Sequence, residues 1–325
     1  MAPKKGTSAK KSKPDEAQNE VNKSEGISGK DDLSKTDAVT EAKASTKSKK
    51  RKAGTVSEAQ GARKSARGAK SAPTHAQLLS FLLSEEALKH SSPEDDTGDS
   101  KLRTYSLTAL NPWEELLSAV ILSRPISHRL GMRAIRTVLN APYSFNSAKA
   151  TQTAGAEKQH QALWDARTQH KDKTAKQIGG LADVILDTFA STTDKEGKSL
   201  AGVHDKGGDE MEEEMKLLKS SIKGVGETGL NIFFRRVQWQ WLSAYPNVDG
   251  KTADSLRKLG LPQDPSELVE LITANWKALK KVELAGADEG QRKRRAYVMV
   301  LERAVGTDLE GNIEAVIDAA AKVSA

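Results

Sequence analysis

No cysteine occurs among the 325 residues, which excludes disulfides, thiolate-bound zinc and iron–sulfur clusters together. Histidine is scarce as well. The six positions (His75, His90, His128, His160, His170 and His204) show no tight ligand-type spacing, so no metal is expected. Aromatic residues make up 4% of the chain and none precedes Phe81. No apolar run is long enough to cross a bilayer and no signal peptide follows Met1, so a chain working away from membranes is expected. Alternation of period two is missing over any useful length, and so is a solenoid-type repeat. A sheet is therefore not expected.

What is present first is charge, and its placement matters more than its sum. The net charge is +7, but residues 1–72 hold 18 of the 51 Lys and Arg and only 9 of the 44 Asp and Glu. The remainder is slightly acidic. The basic segment is built from Lys, Ser, Ala, Thr, Gly and Glu. It cannot bury enough apolar surface to offset the entropy of ordering, so residues 1–72 read as a disordered basic tail. Within it Lys47, Lys49, Lys50, Arg51 and Lys52 form a compact run, followed by Arg63, Lys64, Arg67 and Lys70. This run reads as a nuclear import signal, or as a solvated polybasic linker that touches phosphates. The first residues are rich in Lys and lack Arg, which argues against a mitochondrial presequence.

From about Pro73 the chain reads as helices. Leu78, Leu79, Leu82, Leu83 and Leu88 recur at helical spacing over 76–90. Asn111-Pro112-Trp113 is a clear helix start, with Asn111 placed to cap free N–H groups and Pro112 suited to the first turn. Behind it Trp113, Leu116, Leu117, Val120, Ile121 and Leu122 make a wide apolar stripe, and Pro125 ends or kinks that helix. Further helices are expected over 127–140, 157–170, 173–190, 209–221, 229–243, 252–260, 265–281, 291–305 and 310–323. The stretch 191–208, rich in Gly, Lys and Asp, reads as a loop.

The most informative stretch is Ile222-Lys223-Gly224-Val225-Gly226-Glu227-Thr228-Gly229. Two helices joined by Gly-Val-Gly form a tight hairpin, since glycine supplies the turn conformations and permits close backbone approach. N–H groups at the start of the second helix then suit a phosphate. The same glycines match a dinucleotide fingerprint, but that needs a strand before them, and Met215–Ser221 is helix-forming. Gly207-Gly208-Asp209-Glu210 matches a cyclase signature without the strands that would flank it, and reads as chance.

The chain resembles the helix-hairpin-helix DNA glycosylase superfamily that includes endonuclease III. Three stretches within 110–262 carry the resemblance: Asn111 to Ser123, similar to the opening helix of the barrel lobe; Ile222 to Gly226, similar to the hairpin; and Val248-Asp249-Gly250-Lys251, similar to the segment with the catalytic aspartate. The run Asn231-Ile232-Phe233-Phe234-Arg235-Arg236-Val237-Gln238 looks closest to an endonuclease-like branch. The resemblance implies an all-α, two-lobed fold, with 112–242 as the barrel lobe and 76–110 joined to 243–325 as the second lobe. It also implies double-stranded DNA as partner and Asp249 as the catalytic carboxylate. Members with a lyase step carry a lysine two places after the hairpin's second glycine; Thr228 stands there, which implies a monofunctional, hydrolytic glycosylase. Ala119 stands where adenine glycosylases carry a glutamate.

Each site residue has two readings. Asp249 either stabilises positive charge at the sugar or caps the helix over 252–260. Among Phe233, Phe234, Trp239, Trp241 and Tyr245, core packing explains most, and Trp239 is the candidate wall of a pocket for an extruded base. Arg235 and Arg236 contact phosphate or are solvated. Arg292, Lys293, Arg294 and Arg295 sit at a helix start, where the dipole disfavours cations, and so are candidates for backbone contact. Lys223, Gly224, Val225, Gly226, Thr228 and Lys251 complete the expected DNA-binding set. The expected function is removal of a damaged or mismatched base in the nucleus by a monomer without cofactor, with the nuclear import machinery as a second partner. The alternative is a catalytically silent DNA-binding or chromatin protein.

Overall fold

The computed structural model describes residues 72–97 and 101–324, and the expectations for the tail, Lys47 to Lys52 among them, lie outside these residues. The described part is all-helical and contains no strand. In chain order the helices are α1 (His75–Leu82), α2 (Leu88–Ser91), α3 (Glu94–Thr97), α4 (Pro112–Leu122), α5 (His128–Leu139), α6 (Ala148–Asp165), α7 (Lys171–Thr188), α8 (Ala201–Gly207), α9 (Met211–Ser221), α10 (Glu227–Val237), α11 (Gly250–Leu259), α12 (Pro265–Asn275), α13 (Glu289–Leu309) and α14 (Ile313–Ala320).

The start signals act as their chemistry dictates. Asn111 accepts from the N–H of Glu114, and the Glu114 carboxylate accepts from the N–H of Asn111, a reciprocal cap with Pro112 in the first turn. Trp113 is buried and its indole N–H donates to the carbonyl of Phe145, 3.0 Å away. Ser127, Ser147, Asp264 and Asp288 cap α5, α6, α12 and α13 through a side-chain oxygen that accepts from first-turn N–H groups, without the reciprocal bond.

Several expected boundaries move, each for a physical reason. The helix expected over 157–170 begins at Ala148, because Ser147 caps it there; it breaks at Gly155, whose φ is 75°. The expected loop 191–208 contains α8, too short to show a period but anchored by the fully buried Val203. The helix expected to reach 243 stops at Val237, leaving Trp239 in a turn and Trp241 in irregular chain after it.

Two apolar cores form. The first gathers Trp113, Leu116, Leu117, Ile135, Ile178, Leu181, Leu218, Leu230, Phe233 and Phe234 from α4 to α10. The second gathers Leu79, Phe81, Leu82, Leu256, Leu268, Tyr297, Val300 and Leu301 from α1 and α11 to α14. Tyr105 and Leu110 pack into the first core, although the sequence put 76–110 in the second lobe. Between the cores, α10 lies on α4 on one side and on α13 on the other. That crossing positions the site.

Candidate active site

The hairpin forms between α9 and α10. Gly224 takes φ 84°, a conformation that glycine reaches without strain. Gly226 is extended and exposed, and no atom would meet a Cβ added there. No side chain caps α10, so the amide ends of its first turn carry only their helix-end field, beside the exposed Glu227 and Thr228. Lys223 is exposed beside them. Val225 departs from its expected role: its side chain is buried in the first core and its N–H donates to the carbonyl of Ile222. It fixes the turn and offers nothing to a phosphate.

Beside the hairpin, a cleft of about 500 Å³ opens along the crossing of α10 and α13. Leu122, Ile126, Met132, Ile232, Met299 and Leu309 supply its apolar wall; Thr228, Asp249 and Lys251 line it as well. The Lys251 ammonium bonds Asp308 at 2.6 Å, and Lys258 holds the other Asp308 oxygen at 2.6 Å. These partners draw the Asp308 carboxyl down to about 2, against the burial that raises it.

Asp249 caps α11 and lines the cleft at once. One carboxylate oxygen accepts from the N–H groups of Lys251 and Thr252, at 3.1 and 3.2 Å. The other accepts from Arg235 Nη1 at 3.0 Å and from the Thr252 hydroxyl at 2.5 Å. Burial opposes ionisation, but Arg235 and these donors outweigh it and hold the carboxyl below its usual range. Asp249 is an anion at neutral pH.

Arg235 and Arg236 contradict both sequence readings, phosphate contact and solvation. They are 5% and 3% exposed, because α13 covers the face of α10 that carries them. Arg235 Nε donates to Glu302 at 2.5 Å. Arg236 grips Glu115 through two bonds of 2.8 and 3.1 Å and donates to the carbonyl of Tyr105. Burial disfavours both cations, yet the surrounding carboxylates push both above the ordinary arginine value. Glu302 between them is held down despite burial. Glu115, with one such partner, is pushed up by burial.

Trp239 is not part of the cleft lining. It is buried behind it, with the Arg295 guanidinium 5.3 Å from its ring. The aromatic residue in the lining is Tyr105, which the sequence reading did not single out. Of the expected basic cluster, Arg295 turns inward and is 4% exposed, while Lys293 pairs with Glu289 at 2.7 Å. Arg295 donates weakly to the carbonyl of Thr108 at 3.3 Å, and its Nη1 has no hydrogen-bond partner. Burial, then repulsion from Arg236, lowers it to about 10. Tyr105, Glu115, Arg295 and Glu302 come from three distant segments, and no local period marks them.

Searches of protein-family models, of curated proteins and of solved structures find no match to this chain.

Proposed function

We propose that this protein removes a damaged or mismatched base from double-stranded DNA in the nucleus, as a monofunctional glycosylase with the two-lobed helix-hairpin-helix fold. The observation that carries the reading is the position of Asp249, an ionised carboxylate at the start of α11 lining a half-apolar cleft whose rim includes Thr228 of the hairpin. In the proposed reaction the bond from the sugar C1′ to the base nitrogen breaks, the sugar gains positive charge, and water adds at C1′ while the base leaves with a proton. A fixed anion beside C1′ stabilises that charge. The cleft walls of Leu122, Ile126, Met132 and Ile232 suit an extruded base, and the α10 amide end suits a backbone phosphate. With Thr228 in the hairpin no amine stands there for a Schiff base.

A second reading, a silent DNA-binding protein, is favoured by one specific observation. Each Asp249 oxygen already accepts two hydrogen bonds from neighbouring groups, and Arg235 offsets its charge. The test is a panel of duplexes, each with one altered base, incubated with the full chain and scored with and without alkali. The expected result is strand breakage after alkali only, from intact abasic sites, with no covalent complex trapped by borohydride. A trapped complex overturns the monofunctional assignment, and no abasic site from any duplex favours the silent reading.

The hairpin supports a separate expectation. Gly226→Leu meets open space at a φ of −99° that any residue accepts, so the fold should survive. Duplex affinity should fall about tenfold as the side chain holds the phosphate away from the α10 amides. Circular dichroism verifies folding, and filter binding on an unmodified duplex reads the loss. Unchanged affinity would remove the hairpin from the binding surface.

A further inference from the structure

We propose that His204, Asp209 and Glu214 form a binding site for a divalent transition-metal ion of the zinc class, at the corner between α8 and α9. The sequence spacing hides this site. The three residues stand five apart, and the turn at Gly207 and Gly208 folds α9 back so that one ligand atom from each lies within 4.8 Å of the other two. The donors are an imidazole nitrogen and two carboxylate oxygens, a set that suits zinc and cobalt(II) and leaves a position for water.

One donor pair already has the spacing such an ion needs, and a second must open. A tetrahedral centre about 2.1 Å from each donor keeps its donors roughly 3.4 Å apart. His204 Nδ1 and Asp209 Oδ1 are 3.3 Å apart. His204 Nδ1 and Glu214 Oε1 are 2.5 Å apart, sharing a hydrogen. Binding moves that hydrogen to Nε2 and opens this pair by about 1 Å, with ion–donor bonds replacing the hydrogen bond.

Charge balance points the same way, independently of spacing. The Glu214 side chain is fully buried, and among the described residues its charged partner is His204. With Asp209 beside them, two carboxylates face one imidazole. A divalent cation compensates the buried Glu214 carboxylate, and the exposed Asp209 carboxylate completes its charge from the solvent side.

The surroundings are arranged as supports. The Ser243 hydroxyl donates to Glu214 Oε2 at 2.9 Å, which fixes the carboxylate and directs Oε1 at the site. Trp241 packs edge-on against His204 at 4.0 Å between centroids and fixes the imidazole plane. A Cβ at Gly207 would come within 2.6 Å of Glu214 Cγ, so only glycine admits this placement. The Asp209 side chain is 82% exposed, so an ion has a route in. An ion held here braces α9, the first helix of the hairpin, against the segment after α10.

The test uses the full chain, freed of metal with a chelator and desalted. Cobalt(II) should give the visible band of a low-symmetry site, and zinc should displace it. Zinc at a hundredfold excess over Kd should raise the thermal midpoint by about 5–10 °C. Asp209→Gly is the decisive variant, because glycine accepts the φ of 57° at this exposed position. It should fold as the parent does and bind zinc at least tenfold more weakly; His204→Gln should bind more weakly still. Absence of both band and shift in the parent overturns the proposal, and so does parent-like affinity in the two variants, which would put the ion on other histidines.

Discussion

Asp249→Asn is expected to lower base release by about 10²–10³-fold while duplex affinity stays within threefold of the parent, because the carboxylate acts on charge that develops in the transition state. The variant separates the helix cap from the catalytic role proposed for this residue. Asparagine caps helices as well as aspartate does, so the oxygen that accepts from Lys251 and Thr252 has a replacement. What is lost is the negative charge, together with the acceptor for Arg235 and for the Thr252 hydroxyl; Arg235 keeps Glu302 and stays ordered. Acid should reproduce the effect in the parent. Asp249 titrates below the ordinary carboxylate value, so activity should persist as pH falls to that value and disappear as pH drops further through the folded pKa. The stability that Asp249 contributes follows the same sign: it is present above the unfolded pKa and lost as pH falls through the folded one. Single-turnover base release on the duplex found active in the lesion panel measures the rate, and fluorescence anisotropy measures binding. Parent-like release by Asp249→Asn would reduce Asp249 to a helix cap.

The contrast between Asp249 and Arg235 shows what a linear reading can reach. Asp249 was legible because its function as a cap is local: Asp-Gly-Lys-Thr at a helix start places the carboxylate against amides two and three residues on. Asn111-Pro112-Trp113 was legible for the same reason, and so was the turn at Gly224. Arg235 and Arg236 were not. On a helical wheel Leu230, Phe233, Phe234 and Val237 share one face, and the two arginines fall on the other, which ordinarily meets water. Here α10 is covered on that face too, by α13, more than fifty residues later. The groups that make burial tolerable, Glu115 and Glu302, come from α4 and α13. Glu115 sits inside an apolar stripe, where a sequence reading counts it as an interruption. Tyr105 was missed for a related reason: a lone aromatic between short helices has no period to report its direction. The helix content was therefore readable, and the polar interior between the two apolar cores was not.

That interior supplies the largest expected effect on stability. Glu302→Ala should destabilise the protein by about 3–5 kcal/mol, the cost of removing one partner from a buried charge network. For a body of this size that is roughly a 6–20 °C fall in the thermal midpoint. Glu302 accepts from Arg235 Nε and lies 3.8 Å from Arg236 Nη1. Without it the carboxylates left to Arg235, Arg236 and Arg295 among the described residues are Glu115 and Asp249, so positive charge is left uncompensated in a buried place. Glu302→Gln keeps an acceptor for Arg235 and should lose less. The decisive comparison is the double variant Arg235→Met with Glu302→Leu, which removes the cation and anion together and fills their volume. If the cost of Glu302→Ala is stranded charge, the double variant should recover much of the lost midpoint while base release falls, because Asp249 then loses its fixed partner. Acid should mirror the single variant. The Glu302 carboxyl is held below its ordinary value, so its contribution is present above the unfolded pKa and lost as pH falls through the folded one. Thermal melts at neutral pH and along a series descending below the ordinary carboxylate value read both effects. A Glu302→Ala midpoint within about 2 °C of the parent would show the arginines already screened by water. The buried network would then not be what holds α10 to α13.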